Sequence, residues 1–317
     1  MSAGPWRQAS EALKRRQAVV LWPYMDGGAE RSMPAPMRIA AAGIIGLLCA
    51  FGAWLLVASS PASAGQEVGD ALLPDLIVES PDDIILQRSP GSKHTFLRFS
   101  HTTSNVGKGP LEIYPDLDAE DCDDRGDRAL VASQSIYQDA NGTGTFQRGV
   151  DTETIQAPVG CMIFHDIHNH YHFEEFAEYE LYRVTSGALK ETSDKVSFCV
   201  VDLQNTHPGL EGAADEPFYR FKDCQEDAGI HGISVGWADI YSSTTPGQEF
   251  DVSGLHRPGR YCLIARTDPA DRLDEVPTGG EDNNVQTVQI KVNKKNATET
   301  GAQVPILGEP CSPPVTP

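Results

Sequence analysis

The chain has 317 residues, of which 40% are hydrophobic and 22% are charged, so its composition is that of a globular protein and not of a disordered one. Forty-five acidic residues against 25 basic ones give a formal net charge of −20. This charge disfavours nucleic acid as a partner, because a polyanion would be repelled. It favours cationic partners, such as amines, lysine-rich polypeptides and metal ions.

A secretory signal peptide is predicted at residues 37–64. It has a short basic start at Met37-Arg38, continues in an apolar run at 44–57 and ends on the small residues Ala62-Ser63-Ala64. We expect cleavage after Ala64, which would remove residues 1–64 as an N-terminal extension plus signal. An uncleaved membrane anchor is the alternative. Cleavage predicts a secreted protein without a membrane partner.

The predicted mature chain consists of a folded domain at residues 65–292 and a proline-rich tail at 293–317. It keeps six cysteines, and an even number in an exported chain indicates disulfide bonds. Sequence alone does not choose among the many pairings that six cysteines allow. We expect sequential pairing, that is, Cys122 with Cys161, Cys199 with Cys224, and Cys262 with Cys311.

Short strands separated by turn residues are predicted along most of the mature chain. They cover residues 76–78, 83–87, 95–100, 111–114, 177–181, 196–201, 233–241, 259–266 and 285–292. A hairpin turn is predicted at Asn141-Gly142, because both residues tolerate positive φ. Residues 205–227 are predicted to be a long loop, although a helix at 208–222 is an open alternative. The pattern predicts a mainly β fold, an antiparallel β-sandwich with long loops and few short helices.

Four of the nine histidines fall within eight residues, at positions 165, 168, 170 and 172. On a strand, residues two apart share a face, so His168, His170 and His172 are predicted to lie side by side as metal ligands. Imidazole nitrogen suits Cu(II), zinc or nickel better than calcium or magnesium. His165 lies an odd number of positions from the trio, so we expect it on the other face, as a contact of the ligands at most. The alternative is a solvated histidine-rich strand without a metal.

The histidine segment and the Glu174-Glu175-Phe176 that follows it resemble the copper-binding signature of the lysyl oxidase family. Further stretches agree with this family in the same order, at residues 195–199, 232–241, 258–261 and 283–284. The similarity extends from about Pro74 to Val292. Because this chain has Ile167 and Trp237 where the family carries cysteines, its disulfide network must differ.

The resemblance implies copper-dependent oxidation of primary amines, either peptidyl lysine or small amines, to aldehydes with release of H2O2 and ammonia. Family members carry lysine tyrosylquinone, which forms when copper and O2 oxidise a tyrosine to which a lysine amine adds. The matching residues here are Lys195 and Tyr241. We expect Asp239 to be the catalytic base, because it lies two residues before Tyr241 on the same face of a predicted strand. A turn or capping role for Asp239 is the alternative.

The resemblance also implies a calcium site that joins the first strand of the mature chain to the last. Hard oxygen ligands are available near the start, at Asp75 and Leu76, and in an acidic segment near the end. The candidate ligands in that segment are Glu275, Asp282, Asn283 and Asn284. The alternative is an acidic hairpin that binds no ion.

Two other functions fit the same histidines. An exported, non-catalytic copper-binding β-sandwich would keep the trio and would be unaffected by Tyr241→Phe. A three-histidine zinc hydrolase would need a carboxylate such as Glu175 as its base and would work without O2. The leading hypothesis is a copper amine oxidase whose reactants are O2 and a cationic amine or lysine-containing polypeptide.

Overall fold

Short strands make up most of the regular structure in the part of the chain that the computed structural model describes. That part comprises residues 70–117, 122, 128–166, 168–193, 196–276, 283–308 and 311. The predicted signal segment and its cleavage site lie outside the described residues. Among the described residues, no helix has the length and apolar character that crossing a membrane requires.

The strands are numbered in chain order. They are β1 (Ala71–Leu72), β2 (Leu76–Val78), β3 (Ile85–Arg88), β4 (Thr95–Arg98), β5 (His101–Asn105), β6 (Leu111–Asp116), β7 (Ala129–Gln138), β8 (Thr152–His165), β9 (His170–Phe173), β10 (Ala177–Arg183), β11 (Ala188–Thr192), β12 (Gln204–Asn205), β13 (His231–Ile233), β14 (Trp237–Tyr241), β15 (Glu249–Asp251), β16 (Gly259–Thr267), β17 (Val285–Val292) and β18 (Ala302–Gln303). Short 3₁₀ helices cover Asp223–Gln225, Val252–Gly254 and Lys294–Asn296.

The strands form four antiparallel sheets. The first has the order β13-β6-β7-β8-β9, with β1 paired to β7, and the second has the order β11-β10-β16-β17. The third has the order β12-β14-β5-β2, and the fourth has the order β15-β4-β3-β18. The predicted fold class, mainly β and antiparallel with long loops and few short helices, is confirmed.

One hydrophobic core receives side chains from all four sheets. Leu111, Tyr179, Leu76 and Phe250, one from each sheet in the order given, are at most 1% exposed and belong to the same cluster. Burying a side chain of this size stabilises the folded state by roughly 1.5–3 kcal/mol. The sheets are therefore held together by a common core, and the functional side chains are mounted on its strands.

Alternation in β10 illustrates how the sequence specifies a strand. Ala177, Tyr179 and Leu181 are fully buried, while Glu178 and Glu180 face the other side of the sheet. On that side both carboxylates pair with Arg266 of the neighbouring β16, at 3.3 and 2.6 Å. The period of two thus assigns one face to the core and the other to charge pairing.

Two sequence predictions about secondary structure are wrong, those of continuous strands at 196–201 and 233–241. Residues 196–201 form no strand apart from a single bridge between Phe198 and Phe173, because their backbone groups bond to several separate partners. Residues 208–222 contain turns and no helix, which agrees with the predicted long loop and excludes the alternative of a helix there. The predicted strand at 233–241 is divided into β13 and β14, because Gly236 has a φ of +83° and a Cβ there would lie 2.8 Å from that of Ala213.

The predicted sequential disulfide pairing is confirmed. The bridges join Cys122 to Cys161, Cys199 to Cys224 and Cys262 to Cys311. The last of these ties the C-terminal tail to β16, and β18 adds the tail to the fourth sheet. The 199–224 bridge fastens the long loop that precedes β13.

Candidate metal centre

The histidine segment is a hairpin, not a single extended strand. Strands β8 and β9 pair with His165 opposite His170, and the chain reverses between them. The carbonyl oxygen of His165 accepts hydrogen bonds from the amides of His168 and Asn169, at 2.9 and 2.7 Å. Asn169 adopts a φ of +57°, which asparagine tolerates. The reversal brings histidines from both strands and from the turn to one place.

Four imidazoles converge at this hairpin. One ligand nitrogen from each of His165, His168 and His172 lies within 4.8 Å of the other two, and Nε2 of His170 lies 2.8 Å from Nε2 of His172. The expectation that His165 lies on the other face is wrong, because counting along a strand fails across the turn. The selection of His168, His170 and His172 as the copper ligands stays a prediction, since His165 is placed equally well.

Of the four imidazoles at the hairpin, the two most buried are oriented by hydrogen bonds at Nδ1. His170 directs Nδ1 to the carbonyl of His168 at 2.9 Å, and His172 directs Nδ1 to the Ser197 hydroxyl at 3.2 Å. His172 is 2% exposed and His170 is 9% exposed. Outer contacts of this kind fix the ring orientation and the tautomer of histidines that bind metals. The donor set fits a transition metal such as Cu(II).

The segment 197–199 contacts both Tyr241 and the histidine group. Its hydroxyl accepts a hydrogen bond from the amide of Cys199 at 2.9 Å and donates to the carbonyl of Cys199 at 3.2 Å. Its ring packs edge-on against Phe198, with a centroid distance of 4.4 Å. Ser197, at the other end of this short segment, contacts His172. The predicted metal site and the predicted cofactor tyrosine are therefore joined by three consecutive residues.

Asp239 is buried and shares a face of β14 with Tyr241. It is 2% exposed, and it lies opposite Thr103 in the pairing of β14 with β5. Burial raises the pKa of Tyr241, and the negative charge of Asp239 raises it further. The phenol of Tyr241 is therefore neutral near pH 7.

The described residues do not include Lys195. The flanking residues Ser193 and Val196 are both bonded to β10, through Ser193 N–H to the carbonyl of Tyr179 at 3.2 Å and through the carbonyl of Val196 to the amide of Ala177 at 3.4 Å. The joining of Lys195 to Tyr241 stays a prediction, as does the role of Asp239.

Sequence reasoning missed the contribution of the loop before β13. The rings of Phe221 and His170 make a T-shaped contact, with a centroid distance of 4.9 Å. Asp227 accepts a hydrogen bond from the hydroxyl of Tyr171 in β9 at 2.9 Å. The pairing of Cys199 with Cys224 was the one sequence signal that could have placed this loop beside the site.

Glu175, the base that a zinc hydrolase would need, is already engaged. Its carboxylate pairs with Arg272 at 2.5 Å, and its backbone has a φ of +57°. The structure therefore provides little support for a hydrolase.

The candidate calcium ligands near the two ends of the mature chain come together. Glu275 accepts hydrogen bonds from the amide of Leu76 at 2.6 Å and from the side chain of Asn284 at 2.7 Å, while Asn283 donates to Asp75 at 2.8 Å. The Oδ1 atoms of both asparagines are buried and have no hydrogen-bond partner within the described part of the chain. Carboxylate and amide oxygens fit a hard cation. Asp282 lies outside the described residues.

The hairpin and its imidazoles define a β protein with a candidate transition-metal site. The model of the lysyl oxidase family matches residues 147–301, a range that includes the hairpin, the 196–201 segment and Tyr241. Lysyl oxidase homolog 2B of Danio rerio is 29% identical over 137 residues, which cover 43% of this chain and 15% of that protein. These matches support the lysyl oxidase family for this chain and confirm the resemblance drawn from its sequence. The chain spans only a small part of the length of this relative.

Proposed function

We propose that this protein is a secreted, copper-dependent amine oxidase that converts primary amines to aldehydes, with release of H2O2 and ammonia. The observation that carries the proposal is the convergence of four imidazoles next to the segment that holds the hydroxyl of Tyr241. Copper and lysine tyrosylquinone, once present, would supply the redox chemistry, with O2 as the final electron acceptor.

The copper ligands in this proposal are His168, His170 and His172. His172 belongs to the close group formed with His165 and His168, and its Nε2 also lies 2.8 Å from Nε2 of His170, so it lies near all three of the other imidazoles. Ser197 orients His172. His165 is then either a fourth ligand or a neighbour of the ligands.

Tyr241 and Lys195 are the proposed precursors of the quinone. The hydrogen bonds to Cys199 hold the tyrosine ring next to Phe198, which restricts its motion before oxidation. Because the phenol is neutral, its proton must leave during oxidation. Lys195, two residues before Ser197, must present a neutral amine, which requires partial desolvation.

Asp239 is the proposed base that takes a proton from the carbon next to the substrate nitrogen. The support for this role is that Asp239 is buried and shares a face of β14 with Tyr241. Asp239 also acts on Tyr241 and Tyr179, whose pKa values are raised first by burial and then by its negative charge. Its influence therefore reaches the predicted cofactor tyrosine.

The charge and the disulfides support the remaining parts of the proposal. A net charge of −20 attracts a cationic amine or a lysine-containing polypeptide over a range that salt shortens, and it disfavours nucleic acid. Three disulfides fit secretion after cleavage at Ala64, with no membrane contact afterwards. A calcium ion between Asp75 and Glu275 would pin the start of the mature chain to its end.

The test is copper loading without O2, followed by admission of O2. We expect one bound copper, then visible absorbance and quinone staining, then H2O2 production from n-pentylamine. Tyr241→Phe should bind copper but yield no quinone, whereas the matched variant Tyr182→Phe, which alters a hydroxyl bonded to Glu180 on β10, should behave as wild type. Copper binding without quinone or H2O2 in the wild type would contradict the enzyme and favour the non-catalytic copper protein.

A further inference from the structure

A solvent-exposed aromatic ring stands beside the predicted copper ligands. Phe221 is 49% exposed, yet its ring makes a T-shaped contact with the ring of His170, at a centroid distance of 4.9 Å and an interplanar angle of 70°. A single exposed apolar residue is ordinary on a protein surface. Phe221 differs because it contacts a predicted copper ligand and so adds an apolar surface next to the polar candidate metal site.

The same loop reaches the proposed cofactor tyrosine. Cys224, three residues after Phe221, is bridged to Cys199, whose backbone holds the hydroxyl of Tyr241. Phe221 is thus tied on one side to a predicted metal ligand and, through the disulfide, to the residue that anchors Tyr241. An amine that reacts between these two groups has the loop with Phe221 as part of its surroundings.

The loop is held in place before any substrate arrives. Asp202 accepts hydrogen bonds from the amides of Phe218 and Tyr219 at 2.8 and 3.2 Å. Asp227 accepts one from Tyr171 at 2.9 Å. Together with the disulfide, these contacts anchor the loop on both sides of Phe221. A contact made on such a surface costs little ordering entropy on binding.

We propose that Phe221 is a specificity-determining residue, whose ring packs against the carbon chain of the amine and gives preference to primary amines on an apolar chain. The inference rests on the proposed function, since it names the substrate class of the same site. The amine end of the substrate lies toward Tyr241, and its apolar end lies along Phe221. The acidic surface attracts any cationic amine, so the aromatic ring is the feature that distinguishes among them.

The test compares two amines of equal length, n-pentylamine and 3-methoxypropylamine, on the copper-loaded, matured enzyme. Phe221→Ala should lower kcat/KM for n-pentylamine about tenfold, the effect of losing contact with nearly two methylene groups, mostly through KM. The loss should be smaller for the ether amine. Phe221→Leu should recover most of it. Phe218→Ala is the matched control, because Phe218 lies on the same loop and is 45% exposed; it should stay within about twofold of wild type.

A second measurement does not depend on turnover. In a copper-loaded Tyr241→Phe background, where the proposed quinone cannot form, saturation-transfer NMR should detect the methylene protons of n-pentylamine, and Phe221→Ala should remove most of that signal. Equal losses for Phe221→Ala and Phe218→Ala, or no loss for Phe221→Ala in either measurement, would overturn the inference. If the wild type oxidises no amine, the proposed function fails, and the NMR comparison still decides whether Phe221 binds the carbon chain.

Discussion

Asp202 is the buried carboxylate that fastens the site loop to the turn before Tyr241. It is 6% exposed and accepts hydrogen bonds from the amide and hydroxyl of Ser234, both at 2.7 Å, and from the amides of Phe218 and Tyr219. Ser234 lies between β13 and β14, so one carboxylate joins the loop to the strand that carries Tyr241. We predict that Asp202→Ala lowers the free energy of unfolding by about 3 kcal/mol.

The magnitude follows from which donors lose their partner without gaining water. The amides of Ser234 and Tyr219 are in buried surroundings, and a buried donor left unpaired costs roughly 1–3 kcal/mol, so the two together cost about 4 kcal/mol. Phe218 is exposed, so water can replace its lost bond. Burial raises the pKa of Asp202, which means that the ionised carboxylate is itself costly to bury. Removing the Asp202 carboxylate relieves this cost, which offsets about 1 kcal/mol of the loss in the free energy of unfolding.

The assay is urea denaturation at pH 7, followed by tryptophan fluorescence with the disulfides intact. Asp215→Ala, which removes an exposed carboxylate from the same loop, is the control and should change the free energy of unfolding by no more than about 0.5 kcal/mol. If Asp202→Ala lies within about 1 kcal/mol of wild type, the reasoning about unpaired donors is refuted.

Three further predictions concern the metal sites and a buried acid. His172→Ala should weaken copper binding, measured by calorimetry, by more than about 100-fold, because His172 lies near all three of the other imidazoles. A smaller loss of affinity for His172→Ala than for His165→Ala would contradict this. Calcium should raise the free energy of unfolding of the wild type by about 2.7 kcal/mol at 100 times its Kd, and Glu275→Gln should abolish this stabilisation in thermal unfolding. If calcium still stabilises Glu275→Gln, this site is excluded. Burial alone would raise the pKa of Glu112, but its hydrogen bonds from Tyr114 and Tyr219 lower the pKa. The positive charge of Arg148 and its hydrogen bond lower it as well, so the pKa lies below the ordinary value of 4.5. The stability that Glu112 contributes is therefore present above about pH 4.5 and is lost as the pH falls through the lower folded value, so the difference between wild type and Glu112→Gln should narrow on acidification; a constant difference would contradict the assignment.

Strands with a regular pattern could be predicted from the sequence. β17 has the bounds that its β-branched run predicts, and β10 follows the alternation of its buried residues. The period of two is a local property, so it survives without knowledge of the neighbours. β7 and β8, although the longest strands, were not predicted, because their pairing contains register shifts near Ser133 and their residues do not alternate simply.

The site was predicted in its residue types more than in its geometry. The four histidines within eight residues indicated a metal site. The position of His165 depends on the turn between β8 and β9, so counting residues as if the strand were continuous placed it on the wrong face. The segment around Phe198 has the composition of a strand, yet it crosses between elements and bonds to Phe173 and Gly232 at different points. The approach of Tyr241 to Cys199 spans 42 residues and is set by tertiary packing, for which the sequence carries no local signal.

Peptide mass spectrometry of the copper-loaded, O2-treated protein tests the central claim most directly. The proposal predicts a covalently linked pair of peptides, one carrying Lys195 and the other carrying Tyr241, with the mass of an oxidised ring. The pair should be missing from Lys195→Arg and Tyr241→Phe and present in Tyr182→Phe. Recovery of only unlinked, unmodified peptides for both residues from fully copper-loaded wild type would contradict a quinone-dependent amine oxidase.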